Sequence, residues 1–249
     1  MYKKYEIQEE KYKFPYHYIP YFTSSNYGKN YRHLSWGMEY LCYIKHIINI
    51  ILEINPKSVL DVGCGDGRML GFLGDDIKKK VGVDLSKQAI KFAQAFHYSQ
   101  DIEFFEIDAA RLDGQFEVVL AIEVLEHIPD LEVASFINTL FQRTELGGYV
   151  IISVPSLISP VNKKHYRHYD LKMLESQIIS SGVKFEAIDC SYVYNENWVI
   201  NLFHKVTNNR MLFIDIKPLN KFIWRYIWSK LRIGNSKNGK HIIAVFRKI

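Results

Sequence analysis

Three side chains able to bind metal or move protons fall within five residues: Glu123, Glu126 and His127. At i, i+3 and i+4 they share one face of a helical turn. Two more imidazoles, His165 and His168, come later in the chain. Two carboxylates and two imidazoles could bind one divalent ion, and a histidine alone could accept a proton. A second constellation lies upstream. Asp61 ends the apolar run Val59-Leu60, and Gly63, Gly65 and Gly67 follow at alternate positions. Glycine permits a sharp turn and close approach of a ligand. A helix beginning near Asp66 would aim its N-terminal amides at that ligand. Asp84 ends the next apolar run, where an acid can accept hydrogen bonds from both hydroxyls of a ribose. Asp108 and Ala109 end a third, in place for the exocyclic amine of an adenine.

Strands alternating with helices would position these residues. Short apolar runs predict strands at about 58–63, 80–85, 102–107, 116–122, 149–154, 183–190 and 241–246. Helices are predicted over 66–73, 87–97 with Ser86 as N-cap, 130–143, and from Asp170 to about Ser181. Before the first strand, Leu41, Ile44, Ile48, Ile51 and Leu52 recur at helical spacing, and Pro56 stops that helix. Such alternation implies an α/β fold: a Rossmann-like, doubly wound, mostly parallel sheet of seven strands. Ligands of these sheets bind outside the carboxyl ends of the strands, near the switch point. The glycine turn, Asp84, Asp108 and Glu123 all fall at such ends.

The whole is expected to be a single domain. Residues 1–54 are an N-terminal arm and helix, 55–193 the core, 194–238 an insertion beside the substrate, and 239–249 the last strand. Residues 1–35, rich in Tyr, Pro, Asn and Ser, read as an irregular arm. Tyr27, Tyr31, Arg32 and His33 are its candidates for covering a bound ligand, with Arg32 reaching a carboxylate.

The 249 residues are 48% hydrophobic and 24% charged, enough to bury a sizeable core. No apolar run reaches the length of a membrane span. The first residues lack the apolar stretch of a secretory signal, and Cys42, Cys64 and Cys190 are odd in number and far apart. Free thiols in a reducing cytoplasm are therefore expected, rather than a disulfide framework or a zinc site. The net charge of +5 is uneven. Residues 157–249 hold 16 Lys/Arg against 6 Asp/Glu, and residues 1–156 hold 16 against 21. A basic C-terminal part suits an anionic partner or a merely solvated face. Lys163, Lys164 and Arg167 are candidates for a phosphate.

Val59-Leu-Asp-Val-Gly-Cys-Gly-Asp-Gly67, Gly82-Val-Asp-Leu-Ser86, Asp108-Ala109, Phe116-Glu-Val-Val-Leu-Ala-Ile-Glu-Val-Leu-Glu-His-Ile128 and Gly147-Gly148 together resemble the class I S-adenosylmethionine-dependent methyltransferases over about residues 55–190. The resemblance implies an antiparallel last strand. It also implies that Gly63 and Gly65 approach the methionine part of the cofactor, with Asp61 holding its amino-acid end. Asp84 takes the ribose, Asp108 and Ala109 meet the adenine, and Ile122 closes the pocket. Cys64 and Leu85 complete the expected set, with Arg32 from the arm.

The Glu-x-x-Glu-His set resembles small-RNA 2′-O-methyltransferases, where it binds Mg²⁺ or Mn²⁺, and ubiquinone-biosynthesis O-methyltransferases. His165-Tyr-Arg-His-Tyr169 resembles a large bacterial group of type 11/23 methyltransferases. By the resemblance to the small-RNA enzymes, Glu123, Glu126, His127 and His168 are expected to hold the metal. Glu123, Glu126 and His127, with His165 or His168, are expected to form the reaction centre. The implied activity is O-methylation of an anionic small molecule or glycan precursor. The alternatives are a metal-dependent RNA 2′-O-methyltransferase and a non-catalytic cofactor-binding subunit.

In the insertion, Leu219, Phe222, Ile223, Tyr226 and Ile227 share a helical face. Lys221, Arg225, Lys230, Arg232, Trp224 and Trp228 flank it. That face is expected to lie on an anionic membrane, placing the protein peripherally at the inner membrane face, or to serve as core or as a homodimer contact.

Overall fold

The computed structural model describes residues 21–22, 25–29, 36–160, 163–207 and 214–249. Of the arm residues expected over the ligand, Tyr31, Arg32 and His33 lie outside the described residues, and Tyr27 is buried in the core rather than lining the cleft. The chain order is β1 (Tyr21–Phe22), β2 (Gly28–Lys29), α1 (Gly37–Ile54), β3 (Ser58–Val62), α2 (Arg68–Gly71), β4 (Lys79–Asp84), α3 (Lys87–Phe96), β5 (Glu103–Glu106), β6 (Phe116–Ile122), α4 (Val133–Gln142), β7 (Thr144–Pro155), α5 (Leu171–Ser180), β8 (Phe185–Asn195), α6 (Trp198–Thr207), α7 (Lys217–Tyr226) and β9 (Gly239–Lys248). Short 3₁₀ turns cover Ala109–Arg111 and Leu125–His127.

The main sheet has seven strands in the order β5-β4-β3-β6-β7-β9-β8. Strands β3 to β7 pair in parallel, and β9 runs antiparallel to both β7 and β8. The chain winds outward in opposite directions from β3 and β6, which makes their carboxyl ends the switch point. Register places Asp61 opposite Leu120 there, so the glycine turn leaves beside Glu123.

Alternation along the strands divides the core. Val59, Val118, Leu120, Ile151 and Ile243 face α1 and the insertion. Leu60, Val119, Val150, Ile152 and Ile242 face α4 and α5. Both faces are covered, as a parallel sheet requires.

Local boundaries differ from the sequence reading for identifiable reasons. The buried face of α1 is Leu41, Ile44, Ile47 and Ile51, while Leu52 is exposed. Asn55 ends that helix in the left-handed conformation (φ 54°). Gly67 is also left-handed (φ 76°), so α2 starts late and is a single turn, Arg68–Gly71, rather than 66–73.

In the insertion, α6 and α7 are followed by a π-helical segment, Ile227–Leu231. Ile223, Trp224, Ile227 and Leu231 are buried in the same cluster as α1, and Phe222 alone of the apolar face is largely exposed. Most of that face packs into the core rather than lying open to a membrane. Among the described residues no helix is long and apolar enough to cross one.

Candidate active site

The switch point opens into a cleft of about 380 Å³, lined on one side by Asp61, Gly63, Cys64 and Gly65 and elsewhere by Ile122, Glu123, Glu126, His127, Lys164 and His165. Helix α1 closes it with Tyr40 and Tyr43. Gly63 is required twice over. Its φ is +76°, and a Cβ there would stand 2.6 Å from Val124 Cγ2. The amides of Gly63 and Cys64 both donate to Val83 O, at 2.8 and 3.0 Å. The Gly65 amide donates to Asp84 Oδ2 at 2.9 Å, and the Ser86 amide to Asp84 Oδ1 at 2.8 Å.

Asp61 is buried, with Asp84 and Asp66 nearby. Burial first, and then the two neighbouring carboxylates, push its carboxyl up to about 7. Arg68 Nε meets Asp66 Oδ2 at 2.8 Å, and its guanidinium lies over the Tyr40 ring at 5.0 Å. That contact ties the glycine loop to α1.

Beyond β6 the backbone turns sharply. Glu123 adopts the left-handed conformation (φ +55°), a strain of about 1–2 kcal/mol for a residue with a Cβ. Its side chain is fixed by Ser153 Oγ donating at 2.5 Å and by His241 Nδ1 at 3.1 Å. His241 Nε2 reaches Glu39 Oε1 at 2.9 Å, and Lys240 Nζ binds Glu39 Oε2 at 3.0 Å as well as Glu196. Burial works against charge on His241, but Glu123 and Glu39 outweigh it and hold the imidazole at about 10. Burial likewise works against Glu123, whose carboxyl the His241 charge nevertheless holds below the usual range.

Glu126 has the opposite environment. Burial, with the Glu123 charge added, pushes its carboxyl well above the usual range, and Oε2 has no hydrogen-bond partner among the described residues. His127 Nε2 lies 3.8 Å from Glu126 Oε1, and His127 Nδ1 donates to Lys164 O at 3.2 Å. Donor atoms of Glu126, His127 and His165 all lie within 4.8 Å of one another. An orphaned buried carboxyl oxygen beside two imidazoles fits a divalent cation.

Of the four expected ligands, then, Glu126 and His127 stand in this cluster. Glu123 is bound to Ser153 and His241. His168 is buried behind His165, which takes the third place in the cluster.

The family model described as a methyltransferase domain matches residues 38–194. The chain belongs to that methyltransferase family. A ubiquinone biosynthesis O-methyltransferase from Thiobacillus denitrificans is 37% identical over 103 residues, 39% of this methyltransferase and 44% of the relative. The aligned stretch therefore spans less than half of the relative's length. Solved structures share the fold. An N-methyltransferase from Bradyrhizobium japonicum in complex with S-adenosyl-L-homocysteine superposes with a TM-score of 0.56 at 13% identity, covering 86% of this chain and 87% of that one. The magnesium protoporphyrin IX methyltransferase from Synechocystis with bound SAM gives 0.58 at 15%, covering 89% and 87%.

In this methyltransferase the residues expected at the cofactor fall into two groups. Asp61, Gly63, Cys64, Gly65 and Ile122 line the cleft. Asp84, Leu85, Asp108 and Ala109 lie outside its lining, at the ends of β4 and β5, where Asp108 Oδ1 caps the following turn through Ala110 N at 2.8 Å.

Arg167, read as an acceptor-facing cation, is spent on structure. It donates to Leu125 O at 3.1 Å and to Ile128 O at 2.7 Å, and pairs with Asp130 at 2.6 Å. Sequence reasoning missed Glu39, Tyr40, Tyr43, Arg68 and His241. One signal was available for His241: an antiparallel last strand starts at the carboxyl ends of its parallel neighbours, so a polar residue opening it stands at the site. His241 pairs in register with Pro155, the last residue of β7.

Proposed function

We propose that this protein transfers the methyl group of S-adenosylmethionine to an oxygen of an anionic small molecule or glycan precursor. The observation that carries the reading is one cleft holding both the glycine turn of β3 and the Glu126–His127–His165 cluster. The cofactor supplies an electrophilic methyl group. Three carboxylates, Asp61, Asp66 and Asp84, cluster at the glycine turn and would welcome the ammonium of its amino-acid end. Asp84, at the end of β4, is assigned to the ribose. A hydroxyl must lose its proton as it is methylated, and two imidazoles at the cleft wall can take one. A divalent cation held by Glu126, His127 and His165 would acidify such a hydroxyl. Lys164 at the same wall suits an anionic acceptor. Tyr40 and Tyr43 add aromatic surface to the same cleft. The O-methyltransferase names of the curated relatives point the same way.

Calorimetric titration with S-adenosyl-L-homocysteine is expected to give micromolar binding, about −8 kcal/mol, weakened at least tenfold by Asp84→Ala. Turnover of S-adenosylmethionine should then be followed over hydroxylated carboxylates, phenols and sugar phosphates, with amines as the contrast and with chelator present or absent. Absence of cofactor binding, or transfer to amines in preference to hydroxyls, overturns the reading.

A further inference from the structure

The loop between β7 and α5 carries two histidines with different duties. His165 lines the cleft, while His168 is 4% exposed and faces away from it, into the loop's own scaffold. His168 Nδ1 lies 2.8 Å from Ser159 O, and His168 Nε2 lies 2.7 Å from His165 Nδ1. A carbonyl oxygen can only accept, so the proton of neutral His168 sits on Nδ1. Its Nε2 is then an acceptor, and the hydrogen between the two rings belongs to His165 Nδ1. It follows that neutral His165 carries its lone pair on Nε2.

The support under His168 is itself tied down. Ser159 Oγ donates to Lys240 O at 3.1 Å, and the Ser159 amide donates to Ser156 O at 3.0 Å. The neighbouring Tyr169 is fully buried, and its amide donates to Pro155 O at 3.0 Å. The His168 ring cannot turn outward without breaking this frame.

We propose that His168 is a positioning residue, which fixes the tautomer and ring plane of His165 so that Nε2 is the nitrogen offered to the cleft beside Glu126 and His127. The proposal rests on the reading of that cleft as the reaction site. It assigns His168 a place behind the chemistry rather than within it. Outer partners of this kind usually set which imidazole nitrogen can bind or react.

Long-range ¹H–¹⁵N imidazole correlation spectra of the full-length protein at pH 8, without metal, test it directly. The wild type is expected to show His165 as the Nδ1–H form. His168→Phe keeps the ring volume but offers no acceptor, and His165 should then shift to a mixture of tautomers. His168→Gln restores an accepting oxygen and should restore the Nδ1–H form. Affinity for S-adenosyl-L-homocysteine, measured alongside, should change less than twofold in both variants, which separates this proposal from failure of the cofactor reading. An Nε2–H tautomer in the wild type, or an unchanged His165 signal in folded His168→Phe, overturns the assignment. If His168→Phe does not fold, the wild-type and His168→Gln spectra still decide it.

Discussion

Asp61 shows how one buried carboxyl links ligand binding to stability. Its carboxyl stands at about 7 in the folded chain against an ordinary 3.8. The folded protein therefore holds a proton that the unfolded chain gives up between those values. The stability this represents is fully present below 3.8 and is lost as pH rises through 7. Asp61→Asn is expected to leave stability at pH 4 nearly unchanged and to raise it at pH 8, by up to about 4 kcal/mol. Urea unfolding at the two pH values measures the difference, and an equal effect at both would show that Asp61 ionises freely. The same substitution should weaken binding of S-adenosyl-L-homocysteine, because the Asp61 charge that the ligand's ammonium would call up at the glycine turn is gone. Glu126, raised for the same reasons, contrasts with Glu123 three residues earlier, which His241 keeps ionised. Spacing makes this pair look equivalent; their neighbours make them different.

At the scale of elements, the strand β9 and the helix α1 act together through His241. The imidazolium bridges Glu39 of α1 and Glu123 after β6, and the Tyr43 ring packs over it with centroids 4.3 Å apart. Removing it leaves two carboxylates facing each other in a poorly hydrated place. His241→Leu is therefore expected to cost about 3–5 kcal/mol in urea unfolding at pH 7. With His241 near 10 in the folded chain and 6.5 unfolded, its contribution is complete below 6.5 and disappears as pH rises through 10. The gap between wild type and variant should accordingly shrink between pH 7 and pH 10, and a gap that stays constant would mean the histidine is held by packing alone. The loop before α5 is anchored in the same local manner. Arg167 bonds two carbonyls of the turn that carries Glu126 and His127, and the Tyr166 amide donates to Glu126 O at 2.8 Å. Arg167→Ala should loosen both halves of the cluster and cost about 2 kcal/mol, read by thermal unfolding, since carbonyls half-buried under the guanidinium lose charge-assisted bonds.

Across the whole molecule, the insertion after β8 is joined to the N-terminal segment. Trp224 of α7 is buried against Phe22, with ring centroids 5.5 Å apart, and a Cβ on Gly28 would come within 2.8 Å of its ring. Lys45 of α1 lies 5.2 to 5.9 Å from the rings of Phe22, Trp224 and Trp228. Trp224→Ala should cost about 3–5 kcal/mol. A loss below about 1 kcal/mol would show that the insertion is only loosely attached. The sequence by itself determined the order of strands and helices, the glycine turn, and the acids at strand ends. Each follows from residues close together in the chain, where backbone freedom, apolar alternation and capping act locally. Only the tertiary structure decided the rest. Glu39 and His241 meet across 202 positions, and no spacing along the chain encodes such a pair. Most of the apolar face of α7 met the core, because whether such a face finds protein or solvent depends on what the sheet leaves uncovered. His168 meets Ser159 O only because Ser159 is held against Lys240 at the start of β9, a contact between residues 81 positions apart.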